Sequence, residues 1–158
     1  MSKSPAKQPT VSGSGHVTSW TRCLLALLLV VVGIAWIVVY INVAKDAALF
    51  NADFGGTKPS DPTGFMADLG RWNFLIGFGL ICLGLTVAAH PSTPLGRGRG
   101  VVVGMLGCFL IGLIYIVVFY FVGNDLSKVP LMKDLDQFNL VVGIGFMAVG
   151  FTYATKWE

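Results

Sequence analysis

The sequence predicts an all-α integral membrane protein whose four transmembrane helices form two tandem helical hairpins, related as a parallel repeat. Two observations carry this reading. Charged residues make up only 12% of the 158-residue chain, about half the share of an ordinary soluble domain, and they are excluded from four long apolar stretches. The second half of the chain also repeats the first at positions where chance agreement is rare.

Residues 1–22 contain Lys3, Lys7 and Arg22 with no acid and are rich in Ser, Thr, Gly and Pro. Such a segment buries too little apolar surface to offset its ordering entropy, so a disordered basic cytoplasmic tail is expected there. The apolar run that follows, residues 23–43 (CLLALLLVVVGIAWIVVYINV), is too long for a signal-peptide core and is expected to remain as an anchor. At roughly 1.5 Å per residue it reaches about 31 Å, the thickness of a bilayer core. The third apolar run, residues 100–122, is equally clear. The second (73–89) and fourth (138–155) are shorter and glycine-rich, and they span only if nearly upright or if the bilayer thins locally. The expected units are therefore a first hairpin over 23–89, a Pro- and Gly-rich cytoplasmic linker over 90–99 (HPSTPLGRGR), and a second hairpin over 100–158.

Orientation follows from charge. Lys3, Lys7, Arg22, Arg97, Arg99 and Lys156 face only Glu158 on one side. The two hairpin loops balance Lys45, Lys58, Arg71, Lys128 and Lys133 against seven aspartates. The acid-free tail beside the first helix places both termini and the linker in the cytoplasm.

The repeat is visible in both helices of each hairpin. GIAWIVVY from Gly33 matches GLIYIVVF from Gly112. MADLGRWNFLIGFGLICLGLT from Met66 aligns without gaps on MKDLDQFNLVVGIGFMAVGFT from Met132. Agreement at Asp68/Asp134, at Asn73/Asn139 and at the glycines is informative, because such residues are scarce in apolar helices. The repeat is parallel; an inverted one would have favoured a transporter.

No Asp, Glu, Lys, Arg or His falls within the four apolar runs, which removes the ionisable relay of a proton-coupled carrier. His16 and His90 lack partners at metal or haem spacing, and no nucleophile–base pair or phosphate loop is present, so neither a cofactor nor enzyme activity is expected. Arg97 and Arg99 are the tightest basic cluster and suit anionic headgroups; nucleic-acid binding is not expected. Cys23, Cys82 and Cys108 lie in or beside apolar runs as small fillers.

The candidate helix-packing or partner face comprises Gly77 and Gly84 with their counterparts Gly143 and Gly150, each pair sharing one helix face, together with the GxxxG pair Gly100 and Gly104. Asp68, Trp72 and Asn73, with Asp134, Phe138 and Asn139, form an interfacial motif at the start of the even-numbered helices. There Trp suits the headgroup region, and Asn is expected to cap free backbone N–H groups.

On these residues the chain resembles the CrgA family of actinobacterial cell-division membrane proteins. DLGRWNFLIGFGLICLGLTVAAH and DLDQFNLVVGIGFMAVGFTYATKWE are each similar to that family's second helix, and GLIYIVVF to its first. The resemblance covers residues 20–158, once per repeat. It implies a septal, non-enzymatic scaffold or regulator that contacts divisome components, FtsZ and septal penicillin-binding proteins among them, and influences Z-ring assembly and septal peptidoglycan synthesis. Typical members have one hairpin and this chain two, so the fusion is expected to replace self-association of single hairpins. The second copy has Phe138 where the pattern has Trp and Asp136 where it has Gly. The alternative reading is a small transporter, or an accessory subunit of a transport or respiratory complex.

Overall fold

The computed structural model describes residues 18–50, 56–123 and 129–156. The described residues form helices and turns without strands. Most of the expected basic tail lies outside them, and its last three positions, Trp20 to Arg22, already belong to the first helix. That helix, α1 (Trp20–Val39), passes through a π-helical turn (Tyr40–Ala44) into α2 (Lys45–Ala48), giving one continuous rod over Trp20–Ala48. It therefore outruns its expected end at residue 43. The extra residue of a π turn widens the helix and re-aims the face beyond it. Here Tyr40 and Ala44 both point inward, 1% and 0% exposed.

The rest of the first half is a short helix α3 (Met66–Leu69) and then α4 (Trp72–Ala88); the second half is α5 (Arg99–Val122), the short α6 (Pro130–Leu135) and α7 (Phe138–Ala154). The short helices lie where plain loops are expected. Each is joined to the following long helix by one residue of positive φ, Gly70 (φ 50°, ψ −127°) or Asp136 (φ 51°, ψ −124°). The next residue is near φ −66°, so each junction is a type II′ turn.

α1 packs along α4, α5 packs along α7, and α4 packs against α7, which places α4 and α7 at the centre with α1 and α5 flanking them. The core where the halves meet contains Ile37, Tyr40, Met66 and Phe74 from the first half and Leu135, Val142 and Phe146 from the second. A second cluster joins Ala89, Val101, Cys108, Val149 and Tyr153 at the opposite end. The outward faces of α1 and α5 stay apolar and uncovered, with Leu24, Leu27, Val31 and Ile34 on one and Val103, Leu110, Leu113 and Ile114 on the other. Apolar belts of this kind match lipid as the surrounding solvent. Two rods are long and apolar enough to cross a membrane, Trp20–Ala48 with 29 residues and Arg99–Val122 with 24. α4 and α7 are apolar but have 17 residues each, about 25 Å of rise.

Candidate functional site

The two halves close by the same device. The helices cross at Gly33 against Gly77 in the first half and at Gly112 against Gly143 in the second. A Cβ built on Gly33 would lie 2.6 Å from the Gly77 carbonyl oxygen, and one on Gly112 would lie 2.6 Å from that of Gly143. Gly77 and Gly143 receive the side chains of Ile37 and Ile116, while Gly84 faces Ala26 and Val30, and Gly150 faces Phe109 and the Met105 carbonyl. The candidate glycines of the even-numbered helices thus face the first helix of their own half. Gly33 and Gly112 share the task, and their place in the matched octapeptides was the sequence signal for them.

The GxxxG pair does not act as a unit. Gly104 accommodates the ring of Tyr153, whose hydroxyl donates to Leu85 O at 2.9 Å and so ties α7 to α4. Gly100 instead lies against the backbone of Pro94 and Leu95 in the linker, because α5 is only beginning there.

The helix-start motif differs from the expected cap. No side chain caps the N-terminus of α4 or α7. Asn73 reaches backward, its Nδ2 donating to Met66 O at 2.7 Å and Gly70 O at 2.9 Å. Asn139 does the same to Met132 O at 2.7 Å and Asp136 O at 2.6 Å. Both side chains are fully buried. The groups needing partners are the carbonyls at the end of each short helix, which the type II′ turn folds back over the asparagine. Each asparagine therefore staples a short helix onto the long one.

The copies differ one contact further on. Tyr115 donates its hydroxyl to Asn139 Oδ1 at 2.8 Å. Trp36 holds the equivalent place in the first half, and there both Trp36 Nε1 and Asn73 Oδ1 are buried without a partner among the described residues. A buried unpaired polar atom costs about 1–3 kcal/mol. Trp36→Tyr is expected to restore the missing bond and raise stability by about 1 kcal/mol, read as a later unfolding midpoint in mixed micelles. An earlier midpoint would contradict this account.

Across the halves, Lys45 Nζ lies 2.5 Å from Asp134 Oδ2, with the two side chains 22% and 7% exposed. Asp68, the sequence counterpart of Asp134, is exposed and makes no ion pair among the described residues. Trp72 and Phe138 meet across the same seam with centroids 6.2 Å apart, while Trp72 keeps 63% of its surface exposed, as an interfacial anchor does. Asp134→Asn is expected to cost about 2 kcal/mol, below the range for a fully buried pair because Lys45 keeps some contact with water. Lys45→Met combined with it should recover most of that loss, which a double-mutant cycle measures.

At the other end the linker folds over the start of α1. Ser19 N donates to Ser92 O at 2.9 Å, Arg97 Nη2 to Thr18 Oγ1 at 2.7 Å, and Arg22 Nη1 to Ser92 Oγ at 2.8 Å. The buried Thr93 hydroxyl bonds the carbonyls of Ala88 and His90, closing the end of α4. Arg22 Nη1 also lies 2.7 Å from His90 Nδ1. Desolvation, then the charges of Arg22 and Lys156, push the His90 pKa below its ordinary value, which favours the neutral ring. In the first loop Asp61 accepts from the Thr63 hydroxyl and from the backbone N–H groups of Ala67 and Thr63, and these bonds hold its pKa below the usual carboxylate range. No group of three or more potential metal ligands occurs among the described residues.

Known sequences carry a counterpart of each half. The family model described as "Cell division protein CrgA" matches the chain twice, over residues 1–90 and 93–158. The chain belongs to the CrgA family. It is 45% identical over 67 residues to the cell division protein CrgA of Streptomyces avermitilis, a match covering 42% of this chain and 75% of that protein. It is 33% identical over 79 residues to the cell division protein CrgA of Corynebacterium glutamicum, covering 50% of this chain and 69% of that one. No solved structure matches. Membership supports a cell-division membrane protein, and the two matched segments fit a tandem duplication of the CrgA unit.

At the turn before the second helix the first half has Gly70. Asp136 adopts the same positive-φ conformation with a side chain, at a cost on the order of 1–3 kcal/mol. Its carboxylate meets Arg71 only at 3.4 Å, with both side chains at least half exposed, a contact of little value. Asp136→Gly is therefore expected to stabilise the fold by about 1 kcal/mol after the entropic cost of glycine. An unchanged or earlier unfolding midpoint would count against strain at this turn.

Proposed function

We propose that the chain is a multi-pass, non-enzymatic scaffold or regulator of septation, with four transmembrane helices arranged as two hairpins of equal orientation and both termini cytoplasmic. The observation that carries this reading is the CrgA family match to each half in turn. The uncovered apolar faces of α1 and α5 support four spans, with the shorter α4 and α7 sheltered between them and the short helices α3 and α6 lying at the membrane surface. Charge supports the orientation, since the end carrying Arg22, Arg97, Arg99 and Lys156 is the basic one.

In this reading the protein works through helix contacts within the bilayer and through its basic N-terminal segment. Its partners are divisome proteins, FtsZ and septal penicillin-binding proteins, and its effect falls on Z-ring assembly and septal wall synthesis. The fusion supplies in one chain what two separate hairpins would form by self-association. The internal glycine crossings are occupied within each half, which leaves the outer faces of α1 and α5 for other helices or for lipid.

The test is live imaging of a functional fluorescent fusion at the N-terminus in an actinobacterial host. Enrichment at forming septa, with a division defect on deletion, is the expected result. An even membrane distribution with normal division after deletion would overturn the proposal.

A further inference from the structure

A cleft of about 700 Å³ opens at the basic end of the molecule, where α1 begins and α4 and α7 finish. Its wall has the same grading on three elements. Arg22, His90 and Lys156 are the basic side chains of the lining, while Leu25 and Val87 lie three residues, and Phe151 five residues, further into the bundle. No carboxylate among the described residues lines it.

The hydrogen-bond inventory narrows what the cleft takes. The hydroxyls of Thr86, Thr152 and Thr155 donate to Cys82 O at 2.8 Å, Val149 O at 2.7 Å and Thr152 O at 2.9 Å. Their protons are already used within their own helices. The remaining side-chain donors are the guanidinium of Arg22, which lies against the His90 ring and Ser92 Oγ, the N–H of that ring, and the ammonium of Lys156. Two cations, with no carboxylate lining the cleft among the described residues, beside an apolar wall complement a phosphate that carries an acyl chain.

We propose that this cleft binds one anionic phospholipid, its phosphate between Arg22 and Lys156 and one acyl chain along Leu25, Val87 and Phe151. The proposal rests on the reading that this end lies in the cytoplasmic leaflet. The site spans both halves, since Arg22, Thr86 and His90 come from the first and Phe151 and Lys156 from the second. A bound lipid therefore bridges them at the end opposite the Lys45–Asp134 pair.

The test is native mass spectrometry of the purified full chain in mild detergent, titrated with phosphatidylglycerol, with phosphatidylcholine and with inorganic phosphate alone. Preferential retention of one phosphatidylglycerol is expected. Arg22→Gln combined with Lys156→Gln should weaken it about thirtyfold, at roughly one basic contact's worth per residue. Arg99→Gln combined with Lys133→Gln, an equal loss of charge outside the cleft, should leave it unchanged. Equal retention of both lipids, equal losses in both double variants, or competition by inorganic phosphate at lipid-like concentrations would each overturn the proposal. The cytoplasmic placement of this end fails separately, if a Leu95→Cys thiol in the linker is labelled from outside intact cells.

Discussion

Asn139→Leu is expected to destabilise the protein by about 3 kcal/mol, the largest loss for any single side chain in the helix-start motifs. The substitution puts a somewhat larger apolar side chain in place of the amide, removing both donors that hold the end of α6 and leaving the Tyr115 hydroxyl without its acceptor. The two carbonyls keep weaker backbone bonds from Asp136 N and Asn139 N, each at 3.3 Å, which limits the loss. Asn73→Leu is expected to cost about 2 kcal/mol, because the first half has no tyrosine bond to lose. Asn139→Asp should be at least as harmful as Asn139→Leu, since a carboxylate offers acceptors where the carbonyls need donors. Detergent-induced unfolding followed by tryptophan fluorescence reads all three. Equal losses at 73 and 139 would contradict the asymmetry between the copies, and a neutral Asn139→Leu would remove the staple as a source of stability.

Gly33→Ala and Gly112→Ala are each expected to cost about 2–3 kcal/mol. At both positions the added methyl meets a backbone carbonyl oxygen at 2.6 Å, and backbone yields only if the two helices separate along their whole contact. Gly79→Ala and Gly107→Ala form the control, because a Cβ at either meets nothing within 4 Å. Those two should be neutral or stabilising by up to about 1 kcal/mol through helix propensity alone. A loss at Gly79 or Gly107 in detergent equal to that at Gly33 would show that helix packing is not what distinguishes these glycines.

Much of this architecture was legible because membrane helices advertise themselves by composition. Exclusion of charge from the apolar runs located all four long helices, and pairing of rare residues across the repeat located the motifs that recur as equivalent contacts. The role of Asn73 and Asn139 was not legible. An asparagine at a helix start reads as an N-terminal cap unless the preceding chain is seen to coil into a helix of its own, as 66–69 and 130–135 do. Gly33 and Gly112 stand within the matched octapeptides, but one glycine in a Leu- and Val-rich helix has no spacing signature comparable with GxxxG. That spacing in turn misled at Gly100, which borders the linker rather than a helix. The Lys45–Asp134 pair was hidden because the repeat matches Asp134 with Asp68, and only three-dimensional placement tells the two apart.

That unmatched pair bears on how such a chain diverges. Two identical hairpins meeting about a two-fold axis must make every contact twice, residue i to j and j to i. Here the bond from position 45 to 134 has no mirror image among the described residues, where the aspartate equivalent to Asp134 is exposed and makes no ion pair. Joining the halves in one chain frees each from serving as its own partner. A tandem of two first halves would have no Asp134 to meet Lys45, and a tandem of two second halves no Lys45 to meet Asp134. The order of the halves has become information the chain cannot exchange.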